Sequence, residues 1–221
     1  MPTYDQKPFL LPGFAANPDP RCACVLLLDV SGSMAGRPIE ELASGVELLV
    51  EELHRDEIAA RRVELAVVTF GPAQMVQDFA LAEELQPLTL TAGGDTPMGA
   101  AIELGLDLLE QRKRVYKRMG IPYYRPWVFL ISDGAPTDAW QASAIRIREG
   151  EAAKKFAFFP IGVSGANMDI LGQIATRQPM RLEGLKFREF FAWLSSSLAA
   201  VSASQPGDEV ELPSPHGWGS V

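Results

Sequence analysis

The stretch Cys22-Ala23-Cys24-Val25-Leu26-Leu27-Leu28-Asp29-Val30-Ser31-Gly32-Ser33 decides the fold. Its apolar run is continuous rather than alternating, and turn residues close it. That is the pattern of a strand buried on both faces of a parallel sheet. Pro38 then fits a first helical turn. Ile39, Leu42, Val46, Leu49, Val50 and Leu53 follow at helical spacing, which predicts an amphipathic helix.

The same alternation continues outward. Val63–Phe70, rich in β-branched residues, predicts a second strand closed by Gly71-Pro72, and Met75–Phe79 a short edge strand paired with it. Residues 81–94 read as loop. A helix is expected from about Pro97 to Arg118, with Ile102, Leu106 and Leu109 inward. Its basic end (Arg112, Lys113, Arg114, Lys117, Arg118) suits the helix dipole and reads as a solvated face, with a partner-binding patch as the alternative. Residues 120–125 read as a connecting loop. Trp127–Ser132 predicts a third buried strand, and 140–155 a helix capped by Thr137 or Asp138. Phe156–Gly162 predicts a fourth strand, Asp169–Ala175 a short helix and Pro179–Leu182 a last strand. A final helix is expected with Phe187, Phe190, Phe191, Leu194, Leu198 and Val201 on one stripe. Strands alternating with helices imply an α/β, Rossmann-like, doubly wound and mainly parallel sheet, with helices on both faces and one short antiparallel edge strand. Residues 1–20 read as an N-terminal loop segment, 21–202 as the domain and 203–221 as a mobile, Pro/Gly-rich tail.

Composition narrows the function. The 221 residues carry 20 basic and 28 acidic side chains, a net charge of −8, which disfavours nucleic acid as a partner. No apolar run reaches the length of a membrane span, and residues 1–20 lack the apolar core of a signal peptide. A cytoplasmic location without membrane attachment is the expectation. Cys22 and Cys24 fall on one face of a strand, too far apart for a relaxed disulfide. They read as small core residues, since no further soft ligands cluster near them.

Three loops carry the chemistry: Asp29-Val30-Ser31-Gly32-Ser33, Gly93-Gly94-Asp95-Thr96-Pro97 and Ser132-Asp133-Gly134. A doubly wound sheet brings them to one edge, where such folds bind ligands. Asp29 and Asp133 offer carboxylates; Ser31, Ser33 and Thr96 offer hydroxyls. All are hard oxygen donors, suited to Mg²⁺ or Mn²⁺. Two carboxylates only balance a dication, so the ion keeps an appetite for one more anionic ligand.

Together these residues resemble the metal-ion-dependent adhesion site of von Willebrand factor A domains, and the likeness spans roughly residues 21–202. The resemblance implies a Rossmann-like fold and a single Mg²⁺ or Mn²⁺. Ser31 and Ser33 would bind the ion directly, with Asp29, Thr96 and Asp133 bound directly or through water. It further implies that an Asp or Glu of a protein partner completes the coordination. The compact length, Tyr124-Arg125-Pro126-Trp127 and Ser132-Asp133-Gly134-Ala135-Pro136-Thr137-Asp138 are most similar to small stand-alone bacterial members of the tellurium-resistance type. Such proteins are associated with a Ser/Thr kinase and a PP2C-type phosphatase in stress signalling.

Rival readings fit less well. An Mg²⁺-dependent phosphotransfer enzyme of the haloacid-dehalogenase type needs a second carboxylate two residues after the first, where this chain has Ser31. His54 and His216 fall on a helix and in the tail, away from any base position. A nucleotide-binding loop would need the lysine or glycine spacing that this loop lacks. Loops that merely cap helices remain the bland alternative. The expectation is therefore a binding domain and not an enzyme.

Overall fold

The computed structural model describes residues 17–212, 214 and 218–220. His216 and the first sixteen residues lie outside them. Strand β1 (Cys22–Asp29) is buried along its whole length, as its continuous apolar run requires. A 3-10 turn at Gly32–Met34 leads into helix α1 (Arg37–Arg55), with Pro38 in its first turn. Met34 is fully buried and packs in the core. After α1 come the short helix α2 (Glu57–Arg62), strand β2 (Val63–Phe70) and strand β3 (Gln74–Leu81). Helix α2 was not expected from periodicity. The Asp56 carboxylate creates it by accepting from the Ile58 and Ala59 amides at 3.0 and 2.8 Å.

The remainder follows the expected alternation: α3 (Met98–Met119), β4 (Trp127–Ser132), α4 (Gln141–Ala152), β5 (Ala157–Gly162), α5 (Met168–Ile174), β6 (Met180–Leu182) and α6 (Phe187–Ala203). The strands form one sheet in the order β3-β2-β1-β4-β5-β6, extended by β7 (Gly219–Ser220). Pairing is parallel except at the two edges, where β3 and β7 run antiparallel. Alternate residues of β1 serve opposite cores. Cys22, Cys24, Leu26 and Leu28 pack with α1 and α6; Ala23, Val25 and Leu27 pack with α3 and its neighbours. The chain leaves β1 toward β2 but returns on the other side at β4. The strand order therefore reverses beyond the carboxyl ends of β1 and β4, which opens a crevice there.

Two expectations are corrected. The tail, expected to be mobile, is held at Trp218–Ser220. Trp218 is 2% exposed, and its ring meets Phe190 at 4.9 Å and Trp193 at 5.2 Å between centroids. The Trp218 carbonyl accepts from the Glu183 amide, and β7 then pairs with β6. The indole N–H has no partner among the described residues, an omission worth about 1–3 kcal/mol. Burying roughly 200 Å² of ring contributes about 5 kcal/mol, so the docked state wins.

The basic end of α3 is likewise not wholly solvated. Arg112 Nε reaches the buried Glu64 carboxylate at 2.7 Å, Arg21 Nε reaches it at 3.1 Å, and the Tyr116 hydroxyl donates to it. Burial pushes the Tyr116 phenol upward, so it stays a neutral donor. Glu64 starts β2, which puts this network at the amino end of the sheet, opposite the crevice.

Removal of the Trp218 ring (Trp218→Ala) should lower stability by roughly 3 kcal/mol, read from the denaturant midpoint. Cys22 and Cys24 are free and buried, and burial pushes the Cys22 thiol up to about 12. Neither should react with an alkylating reagent at pH 8 until the protein is denatured, which mass spectrometry would count.

Candidate metal centre

The crevice is built from the ends of β1 and β4 and the loop before α3. Asp29 is the last residue of β1, and strand geometry buries it completely. Its Oδ1 accepts from the Ser31 amide at 2.9 Å and its Oδ2 from the Ser132 hydroxyl at 2.5 Å. Ser132 ends β4 and in turn accepts from the Gly134 amide at 3.2 Å. From Ser31 the chain of oxygens continues outward. Ser31 Oγ and Ser33 Oγ lie 3.1 Å apart, and Ser33 Oγ donates to Asp133 Oδ1 at 2.8 Å. Four of the five sequence-predicted residues are thus linked by direct hydrogen bonds or by a shared partner.

Thr96, the fifth, is brought in through the backbone. Its amide donates to Thr137 Oγ1 at 3.1 Å, and its carbonyl accepts from the Thr137 amide at 2.9 Å. A Cβ on Gly134 would sit 3.6 Å from Thr96 Oγ1, so this hydroxyl faces the Asp133-Gly134 loop. Asp138 completes the join: its two oxygens accept from the Gly99 and Ala100 amides, at 2.9 and 2.8 Å. Thr137 and Asp138 were expected to cap α4, but they secure the start of α3. The α4 N-terminus has no side-chain cap.

The first and second loops meet along a backbone seam. The Gly93 amide donates to the Val30 carbonyl at 2.8 Å, and the Gly32 amide to the Gly94 carbonyl at 3.0 Å. Gly94 has φ +75°, and a Cβ there would fall 2.6 Å from the Gly71 carbonyl oxygen. Only glycine accommodates both the backbone sign and the contact.

The electrostatics are one-sided. Burial pushes the Asp29 carboxyl upward; the Ser132 and Ser31 hydrogen bonds oppose the shift, and nearby Asp133 adds to it. The charge that bears on Asp29 among the described residues, that of Asp133, has its own sign. A buried carboxylate is ordinarily accompanied by a cation or by hydrogen-bond donors. Ser31 and Thr96 are 2% and 7% exposed, whereas Asp133 is half-buried and Ser33 exposed. The outer side of the cluster therefore opens to solvent. Among the described residues no group of three or more His, Cys, Asp or Glu is arranged to hold a metal. Any ion here would rely on two carboxylates and three hydroxyls, a hard donor set. Sequence reading singled out all five of these residues. It missed Ser132, Thr137 and Asp138 as supports, and nothing in the sequence tells which helix Asp138 caps.

The chain belongs to the von Willebrand factor type A domain family, whose sequence model matches residues 24–188. Domains of this family generally mediate metal-dependent protein interactions. The fold is similar to that of the pilus adhesin SpaC from Lactobacillus rhamnosus GG, with 11% identity, a TM-score of 0.69 and coverage of 82% of this chain. It is also similar to proximal thread matrix protein 1 of the mussel byssus, with 17% identity, a TM-score of 0.56 and 83% coverage. The VWA domain of SpRpn10 matches at 14% identity and a TM-score of 0.50, over 71% of this chain and 81% of its own. This chain spans only 30% of the SpaC structure and 49% of the mussel protein. No curated protein sequence matches it. No helix among the described residues is long and apolar enough to cross a membrane.

Replacing the α3 cap (Asp138→Ala) should lower stability by about 1 kcal/mol in chemical denaturation, because two helix amides lose their acceptor.

Proposed function

We propose that Asp29, Ser31, Ser33, Thr96 and Asp133 hold one Mg²⁺ or Mn²⁺, and that an Asp or Glu of a protein partner completes its coordination. The observation that carries this reading is the buried Asp29 carboxylate, held by the Ser31 amide and the Ser132 hydroxyl with a second carboxylate, Asp133, nearby. A dication removes the repulsion between Asp29 and Asp133. It also replaces the hydrogen bonds that Ser31, Ser33 and Asp133 make to one another. When bound it supplies an electrophilic centre that two carboxylates neutralise without saturating. The exposed side at Ser33 gives a partner's carboxylate access, and a water-poor interface strengthens that contact.

The protein acts as a binding domain and not as an enzyme. His54, the one histidine among the described residues, lies near the end of α1, about 25 Å along the helix from the proposed metal loops. The likeness of Tyr124–Trp127 and Ser132–Asp138 to the tellurium-resistance group supports a cytoplasmic role in bacterial stress signalling. The partner would be a Ser/Thr kinase or a PP2C-type phosphatase.

Calorimetric titration should find one Mg²⁺ or Mn²⁺ per chain. Asp29→Asn should abolish binding while leaving the circular dichroism unchanged. In EDTA this variant should melt no lower than the parent, because its amide carries no buried charge. Ser132→Ala removes only the hydroxyl that orients Asp29 and should weaken the metal by about 10- to 100-fold. Undiminished binding in Asp29→Asn would overturn the proposal.

A further inference from the structure

The end of the sheet opposite the crevice gathers cations that the proposed function does not use. Among the basic residues that close α3, Arg112 is committed to Glu64. Lys113 instead reaches across to the turn between α4 and β5, where its ammonium donates to the Lys155 carbonyl at 3.1 Å. Lys117 stands one turn further along the same side of α3. Burial lowers the Lys113 pKa, the neighbouring Lys117 and Lys155 lower it further, and Glu110 opposes them. Glu110 is itself engaged, 3.6 Å from Arg146 and 3.9 Å from Arg114. Lys117, Lys154 and Lys155 are exposed, and among the described residues none of them has an acidic partner.

Lys154 joins the group through a conformation that favours glycine. Helix α4 closes in a left-handed turn: the Lys154 amide donates to the Glu151 carbonyl at 2.9 Å and the Lys155 amide to the Gly150 carbonyl at 2.8 Å. Lys154 holds the turn with φ +52°, and it is the one non-glycine residue among those described with a positive φ. Glycine takes this conformation without a Cβ clash, so the ammonium is present at the expense of backbone ease. Four cations thus surround the start of β5 on a chain whose net charge is −8. The Cβ atoms of Lys113 and Lys117 are about 6 Å apart by helix geometry. Alternate side chains of an extended peptide repeat at about 6.6 Å, a close match. A nucleic-acid duplex or a bilayer carries its negative charge well beyond such a patch and meets repulsion from the acidic remainder of this surface. A short acidic segment meets the patch alone.

We propose that Lys113, Lys117, Lys154 and Lys155 form a second docking surface, independent of any metal, that takes an extended acidic segment of a protein partner. Carboxylates at alternate positions of that segment pair with Lys113 and Lys117, and its next acid with Lys154 or Lys155. The surface lies where β5 begins, whereas the loops proposed to take the metal lie beyond the carboxyl ends of β1 and β4. The six residues of β5 separate the two by about 20 Å, so one acidic side chain cannot serve both. The domain can therefore hold two acidic groups at once, one at each end of its sheet. Removing the metal leaves this surface intact, so the two proposals stand or fall independently.

Fluorescence anisotropy of a labelled peptide of about ten glutamates tests it, with the full chain in EDTA and low salt. The peptide should bind, and Lys117→Glu combined with Lys155→Glu, both at exposed positions, should weaken it by about tenfold or more. The same reversal at cations elsewhere, Arg37→Glu with Lys186→Glu, should change binding by less than about twofold. Lys154→Gly should weaken binding by about threefold yet leave the melting temperature no lower, a pairing that a purely structural lysine would not give. On titration, amide chemical shifts should move at 113–118 and 153–156. The proposal is lost if the peptide does not bind, if both double reversals weaken it equally, or if the shifts centre on 29–33 and 133–138. It is lost equally if a DNA duplex or phosphatidylserine vesicles bind more tightly than the peptide, which would assign the lysines to a different class of partner.

Discussion

A carboxylate withdrawn from water at the end of the central strand governs the design of this molecule. Asp29 is there because β1 is buried on both faces and must stop at a turn, and because the strand order reverses at that position. The protein satisfies it with an amide and a hydroxyl, and among the described residues the neighbouring charge is a second carboxylate. What surrounds it follows from that choice. Ser132 is committed to holding it, Gly134 to holding Ser132, and the serines of the first loop link it outward to Asp133. The crevice is a hydrogen-bonded arrangement of oxygens that carries two carboxylates, Asp29 and Asp133.

Much of this was legible in the chain. Continuous apolar runs set β1 and β4, and β-branched richness set β2, with the bounds expected from the sequence, because burial on both faces leaves little room for alternation. The α1 stripe was equally readable, since 3.6-residue spacing over nineteen residues admits one interpretation. The loops Asp29–Ser33 and Ser132–Gly134 could be placed beside each other because each directly follows a central strand. The Thr96 loop could be placed there by its position before a helix.

What escaped notice was tertiary. Helix α2 is six residues long, too short to show a period, and depends on a single cap. Arg112 looked like one charge among five, because nothing local reveals that its neighbour in space is a buried glutamate on β2. Trp218 sits in a Pro/Gly-rich stretch whose composition suggests a solvated coil. Its docking depends on Phe190 and Trp193, which come together only once α6 has packed. In each case the deciding partner lies far away in sequence, beyond what propensity and periodicity record.

The Asp138 carboxylate ties the inheritance of one rim loop to that of another. It is carried by one rim loop, yet it satisfies the opening amides of the helix that follows another. Thr137 repeats the arrangement toward Thr96. The two loops are consequently a single exchangeable unit. A graft that brings in a foreign 133–138 segment without its matching 93–100 segment strands two helix amides and leaves a hydroxyl misaligned. Recombination between relatives should therefore transmit these loops as a pair, and an engineer who wishes to retarget the rim must transplant both.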